Sequence, residues 1–299
     1  MSTNRSFWQD KAGVPGAIRD SPVPSKVADG ELVVKVHAWA VNPADVVVQD
    51  MPLLFITYPL ISGEDVAGTI EVVGSAAASE FKLPDSLSFN DASVVPLCIA
   101  TAAHGLFSNE YLGIPFPKVN STSTSKSVFI WGGSSGAGSN AIQSSKAAGF
   151  EVITTCSARN FDYVKSLGAD KFFDLNSPSA INDIAAELDK GACIGIFQAA
   201  GQVAPSCQVA HKSKQKSFVA AANPVREGAA PEGVEAKMVF ASGGAVIYHE
   251  TSLATFGGFS PEASAKNLGC ADKGLEGIQE ALDILRKGVS ANKIVIEAK

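Results

Sequence analysis

SVFIWGGSSGAGSNAIQSSKAAGFEVITT, residues 127–155, is the stretch on which the fold turns. The apolar run SVFIW predicts a strand, Ala137 to Ala148 a helix, and EVITT the next strand. Between strand and helix lie Gly132, Gly133, Ser134, Ser135, Gly136, Ala137 and Gly138. Glycines let the backbone turn sharply and approach a pyrophosphate, whose charge then meets the helix N-terminus. A glycine run is weak evidence alone. In a strand–loop–helix–strand setting it points to dinucleotide binding, against the alternative of a tight β–α turn with an empty crevice.

Downstream the alternation continues. A helix is expected over Phe161 to Leu167, a strand at KFFD (171–174), a helix over Ile181 to Leu188 and a buried strand at CIGIF (193–197). Alternating helices and fully apolar strands predict a parallel, doubly wound sheet. Upstream, the first ninety-odd residues are β-rich. Glu31 to Ala40 and Val66 to Val73 have strand character, and prolines punctuate the segment. Ala92 to Phe107 has helical spacing. The chain closes with an amphipathic helix, Leu275 to Arg286, and a strand, Lys293 to Glu297, whose edge would offer a dimer seam.

Composition narrows the function. The 299 residues are 46% hydrophobic and 18% charged, enough for two domains with a buried core. A net charge of −6 argues against a nucleic-acid partner. No apolar run approaches the roughly 20 residues of a membrane span, and no signal peptide is legible, so a cytoplasmic protein is expected. The five cysteines show no CxxC spacing, which suggests neither a disulfide framework nor a zinc knuckle.

Cofactor choice comes from the end of the second strand. NAD-selective sites usually carry an acidic residue there, about 20 residues past the loop. Here stand Cys156, Ser157, Ala158, Arg159, Asn160 and, one turn on, Tyr163. No carboxylate opposes a 2′-phosphate, and the planar Arg159 fork suits one, with Ser157 and Asn160 adding hydrogen bonds. NADPH is expected rather than NADH. The plainer alternative is an Arg159 that merely opens a helix in solvent.

VNPAD (41–45), GEDVAG (63–68), EVVGS (71–75), LPDSLSFNDASVVPL (83–97), WGGSSGAGSNAIQ (131–143), CSARNFDYVKSLGAD (156–170) and KGLEGIQEALDILRKGVSANKIVI (273–296) occur in that order. Together they resemble the zinc-independent, quinone-oxidoreductase-like branch of the medium-chain dehydrogenase/reductase superfamily, and within it fungal enoyl reductases that act in trans on polyketide synthases. The resemblance implies a Rossmann doubly wound parallel sheet plus a reduced GroES-like β-rich domain. Residues 1–97 and a C-terminal return over 255–299 would form the GroES-like part, and 98–254 the NADP-binding part. It also implies hydride transfer from NADPH to an activated double bond or quinone in the cleft between them.

Family cofactor contacts fall on Ala44, Asp45, Ser134, Ser135, Gly136, Ala137, Ser157, Asn160, Ser290 and Ala291. Gly133, Gly138, Arg159, Tyr163, Ala200 and Gly201 complete the expected cofactor set. The substrate wall would be Val95, Pro96, Leu97, Cys98, Ile99, Ala100, Thr101 and Ala102. Zinc-dependent members bind metal through a Cys and a GHE motif. GHE reads here Gly63, Glu64, Asp65, no Cys or His neighbours Asn42, and no metal is expected.

Two departures from the family stand out. Only Ala76 to Lys82 occupies an interval that usually holds further barrel strands, and only Lys266 to Asp272 stands where a helix and strand are expected. A barrel short of strands exposes edges and apolar faces. The expectation is a partly open domain, or one completed by a partner subunit or a second copy. The other departure is chemical. Relatives place Lys, Tyr or Trp after NPAD, whereas this chain has Val46, Val47 and Val48. Asn42, Asp45 and Thr101 are then the candidate catalytic groups, with water an alternative proton source. The leading reading is an NADPH-dependent reductase of an enone, quinone or acyl substrate; the competing one is a nucleotide-binding module without turnover. Nonredox chemistry at Cys98 lacks a Cys–His pairing or nucleophile elbow.

Overall fold

The computed structural model describes residues 4–23, 26–75, 87–118, 121–240, 268–271 and 273–298. The interval 76–82, the start of the LPDSLSF stretch, His249 and the 254/255 boundary lie outside them. Contacts divide the chain into two compact units, Met1–Pro96 with Ala265–Lys299, and Leu97–Ser264.

The first unit begins with strands β1 (Asn4–Gln9), β2 (Ala17–Ser21) and β3 (Leu32–Val41), and helix α1 (Pro43–Asp50). Strands β4 (Leu60–Ile61) and β5 (Asp65–Val73) and helix α2 (Phe89–Ser93) follow. A three-stranded sheet has the order β2-β1-β4. Helix α1 occupies the valine run that β propensity favours as a strand. Asn42 precedes Pro43, which suits the first helical position, and the Asn42 amide donates to Asp45 Oδ2 at 2.7 Å. Three β-branched residues therefore sit in a helix because its N-terminus is well capped.

The second unit opens with α3 (Pro96–Phe107). The sequence suggested one helix over Ala92 to Phe107; two form, because a residue before proline is pushed out of the helical region, and Val95 precedes Pro96. Then come β6 (Lys126–Trp131), α4 (Gly136–Ala147), β7 (Glu151–Cys156), α5 (Phe161–Ser166), β8 (Lys171–Asp174) and α6 (Ala180–Leu188). β9 (Ala192–Gln198), α7 (Ala204–Lys212), β10 (Val219–Ala221) and β11 (Ala236–Met238) complete its described elements. Every pairing in the six-stranded sheet is parallel, in the order β11-β10-β9-β6-β7-β8. The strands are apolar on both faces. Ile130, Ile142 and Phe197 belong to one buried cluster, and Phe129, Ile153 and Ile184 to another. The order reverses between β6 and β9, and doubly wound sheets bind ligands at the carboxyl ends of strands at such a switch point.

The chain returns to the first unit with β12 (Leu268–Ala271), helix α8 (Ile278–Arg286) and β13 (Lys293–Glu297). A strand therefore does occupy the short interval before KGLEG. The four-stranded sheet has the order β12-β13-β3-β5, so the sequence expectation of an edge at Lys293 to Glu297 is corrected: β13 is paired on both sides. Among the described residues β5 pairs only with β3, and it leaves Val66, Ile70 and Val72 exposed. Three glutamines, Gln9 and Gln49 buried and Gln279 half-buried, tie β1, α1 and α8 together. Gln49 donates to Gln9 Oε1 at 2.9 Å, and Gln279 donates to Gln49 Oε1 at 3.1 Å.

Candidate functional site

The loop after β6 is held from below by β7. The Gly132 amide donates to Thr155 Oγ1 at 3.0 Å and the Gly133 amide to the Thr155 carbonyl at 2.8 Å. Thr154 in turn donates to the Ile130 carbonyl at 2.8 Å. Ser135 caps α4: its hydroxyl accepts from the Gly138 amide at 3.1 Å and donates to the Gly132 carbonyl at 2.8 Å. Gly132 has φ +84°, a conformation side chains resist.

Three glycines are required by closeness. A Cβ on Gly133 would collide with Thr154 Oγ1, and one on Gly138 with the Gly132 carbonyl oxygen. A Cβ on Gly136 would stand 2.6 Å from Cys98 Sγ, so this cysteine of the expected substrate wall packs under the helix start. A Cβ on Gly132 would lie 3.1 Å from that of Ala200, which brings the turn after β9 to the loop. Gln198, fully buried, holds that turn by donating to the carbonyls of Ala200 at 2.8 Å and Gly201 at 3.0 Å. Thr154, Thr155 and Gln198 were not singled out in the sequence; Thr154 and Thr155 directly precede Cys156, the one signal available.

At the end of β7, Asn160 donates to Ser134 Oγ at 3.3 Å, which joins the loop to the second-strand turn. Ser157 is half-buried, and Arg159 is exposed, with no hydrogen bond or ion pair to a described residue. Burial raises the Tyr163 phenol pKa, partly offset by a hydrogen bond with Ser139. This cradle, free of side-chain bulk and of carboxylates at Gly133 to Gly138, fits the diphosphate of a dinucleotide at a helix N-terminus. In α3, Cys98 and Ala102 are buried while Leu97, Ile99, Ala100 and Thr101 are partly exposed. The Thr101 hydroxyl donates to the Leu97 carbonyl of its own helix at 2.8 Å. Val95 packs beside Ala38, Ala40 and Val295.

The first unit holds a separate buried polar cluster. Asn42 Nδ2 donates to Asp65 Oδ2 at 2.9 Å, and the Lys293 ammonium donates to Asn42 Oδ1 and, at 3.2 Å, to Asp65 Oδ2. Lys293 was not anticipated; it comes more than two hundred residues after its partners. Ala44 adjoins the cluster on α1, and Ser290 and Ala291 precede Lys293 in the turn before β13, with Ala291 at φ +52°. His37 bonds Thr69 Oγ1 at 2.7 Å and stacks on Phe89, which accounts for it structurally. Among the described residues no group of three or more His, Cys, Asp or Glu is arranged to hold a metal ion.

Burial, reinforced by Glu64 and Asp65 and opposed by the Asn42 amide and Lys293, pushes Asp45 up to about 7. Its folded pKa thus exceeds the unfolded value of about 3.9. The folded state holds the extra proton between those values, so this residue's contribution to stability falls as pH rises from about 4 to about 7. Asp45→Asn, which keeps an acceptor for the Asn42 amide, is expected to flatten that decline. Urea unfolding at several pH values across this window checks it; an unchanged slope refutes it.

The parallel order, the switch point and the cradle define a Rossmann-type unit joined to a β-rich one. The alcohol dehydrogenase GroES-like domain matches residues 28–108. The dehydrogenase azaJ of Aspergillus niger is 36% identical, over 95% of this chain and 97% of its own length. The trans-enoyl reductase himH of Aspergillus japonicus is 35% identical, over 98% and 97% respectively. Among solved structures, CurK enoyl reductase matches with a TM-score of 0.74 at 16% identity, over 99% of each chain. The chain belongs to the medium-chain dehydrogenase/reductase superfamily, in its enoyl reductase branch, and is an oxidoreductase. In both relatives the aligned stretch, 340 or 343 positions, exceeds this chain's 299 residues, so they carry segments that it lacks.

Proposed function

We propose that this oxidoreductase uses NADPH to reduce an activated C=C bond or a quinone. One observation carries the reading: the glycine cradle leads, through Asn160 and Ser134, to a strand end whose Arg159 has no bonded partner, carboxylate or other, among the described residues. Gly133 to Gly138 would hold the diphosphate, Ser157, Arg159 and Asn160 the 2′-phosphate, and Ala200 and Gly201 the path beyond it. Tyr163 would flank the adenosine end. Ala44, Asp45, Ser290 and Ala291 are assigned to the cofactor by likeness to the family. When bound, the reduced nicotinamide supplies a hydride for the β carbon of an enone, while a proton adds to the α carbon. Asp45, the only candidate with a pKa near neutrality, is the group proposed to hold that proton; Asn42 orients it through its amide, and the bonded Thr101 hydroxyl is the weaker candidate. The apolar side chains of Val95 to Ala102 would face a small-molecule acceptor.

The enzyme is proposed to be cytoplasmic, without a zinc ion and without nucleic-acid or membrane partners. No helix among the described residues is long and apolar enough to cross a membrane. A second copy or a partner subunit, if one completes the first unit, is proposed to cover β5. Titration with NADPH and NADH by nucleotide fluorescence, followed by addition of an enone or a quinone, tests the function. Preferential NADPH binding with oxidation on adding acceptor is expected. Binding without oxidation would favour the module reading, and binding of neither nucleotide would refute both. Arg159→Glu is expected to weaken NADPH about tenfold or more, from loss of a charge-assisted fork, while sparing NADH. Equal loss for both nucleotides would reject the 2′-phosphate role.

A further inference from the structure

Strand register gathers three distant residues at one end of the four-stranded sheet. Val41 pairs with Ile294 and Ala40 with Asp65, which brings Asn42, Lys293 and Asp65 together where α1 begins. Asn42 joins this group to Asp45. Its side chain accepts from the Lys293 ammonium and donates to Asp65 Oδ2 at 2.9 Å, while its backbone amide donates to Asp45 Oδ2 at 2.7 Å. Asp45 is 4% exposed, and Asn42 and Asp65 are buried with it. Two buried carboxyl groups thus share one cation. Lys293 bonds Asp65 directly, at 3.2 Å, whereas Asp45 has the Asn42 amide, so a proton held between the two acids belongs on Asp45. Asp45 Oδ1 makes no hydrogen bond to a described residue and is left to carry it.

We propose that Lys293 is a positioning residue for the reduction: through Asn42 and through its charge it readies Asp45 to release a proton and steadies the carboxylate that remains. The proposal rests on the reading of Asp45 as the group that holds the proton. When the α carbon of an enone takes that proton, the Oδ1–H bond breaks, a C–H bond forms, and a second buried negative charge arises near Asp65. Water returns the proton between turnovers. A nearby ammonium offsets such a charge far better in a buried site than in bulk water. Burial favours the proton on Asp45, as do Glu64 and Asp65 from the start of β5 and the residue before it. The Asn42 amide and Lys293, from β13, oppose it, and Lys293 is the only cation among them.

The test follows the Asp45 carboxyl carbon by NMR in the full chain labelled at aspartate, with Asp45→Asn identifying the resonance. The parent midpoint is expected at about 7. Lys293→Met should raise it by about one pH unit, as loss of a nearby opposite charge does, and Lys293→Arg should restore it. Loosened packing would do the reverse and drag the midpoint toward the ordinary value of about 3.9. Asp65→Asn with and without Lys293→Met repeats the comparison where no carboxylate is stranded, should the single variant not fold. Reduction of an enone by NADPH gives a second readout. Protonated Asp45 is the active form, so the alkaline limb of kcat/KM should move up with the midpoint. An unmoved or lowered midpoint on adding Lys293→Met would overturn the proposal. A raised midpoint with an unmoved limb would instead refute Asp45 as the proton's holder in the reaction. Absence of reduction would count against the NADPH reading, and the nucleotide-free titration would still decide whether Lys293 governs Asp45.

Discussion

Gly138→Ala is expected to weaken NADPH binding about a hundredfold, roughly 2.8 kcal/mol, and to lower the melting temperature as well. The added methyl would collide with the Gly132 carbonyl oxygen and stand 2.8 Å from Gly133 Cα. Both obstacles are backbone, and that backbone is pinned by Thr155 and Ser135, so no rotamer change relieves the clash. Helix α4 must draw back from the loop, and its first-turn amides leave the position a diphosphate would use. Gly191→Ala is the matched control in the same unit. Its Cβ meets nothing within 4 Å and its φ is not positive, so it should bind nucleotide like the parent. Fluorescence titration and thermal melts of the two variants measure the contrast. Parental affinity in Gly138→Ala would show that the loop does not receive the diphosphate.

Lys293→Met should cost about 3–5 kcal/mol of stability, the range for breaking a buried ion pair from one side. The Lys293 side chain is 12% exposed and that of Asp65 only 1%. Removing the ammonium leaves the Asp65 carboxylate buried without its cation, beside Asp45 and Glu64, whose own pKa is raised by burial and by Asp65. Adding Asp65→Asn to Lys293→Met removes the stranded charge and should recover most of the loss. Denaturant unfolding of the parent, both single variants and the double variant closes the cycle. Additive losses would mean that the pair contributes nothing as a pair.

The doubly wound unit was legible because parallel strands buried on both faces form apolar runs, and because the loop glycines are dictated by local backbone geometry. The other unit was harder to read. Three consecutive valines carry strand propensity, and only the Asn42, Pro43 and Asp45 trio turns them into a helix. The place of β13 between β12 and β3 depends on pairings with residues distant in the chain, which no local pattern records. The candidate loop residues followed from spacing, but their supports did not. Thr155 and Gln198 act through side-chain hydrogen bonds to backbone, a role that no local sequence pattern records, and Lys293 meets its partners only after the chain has returned.

That return has a consequence for the order of events on the ribosome. Residues 97–264 are contiguous, so the parallel sheet has all its described strands once they have been synthesised. The β3–β5 pair, made much earlier, must wait for β13 before its sheet is filled, and Gln49 must wait for Gln279. The nascent chain therefore carries an unfinished, apolar first unit through most of translation. Unpaired strand edges of this kind are what make incomplete folds prone to association, so the interval before β13 arrives is the one in which mispairing has its opening.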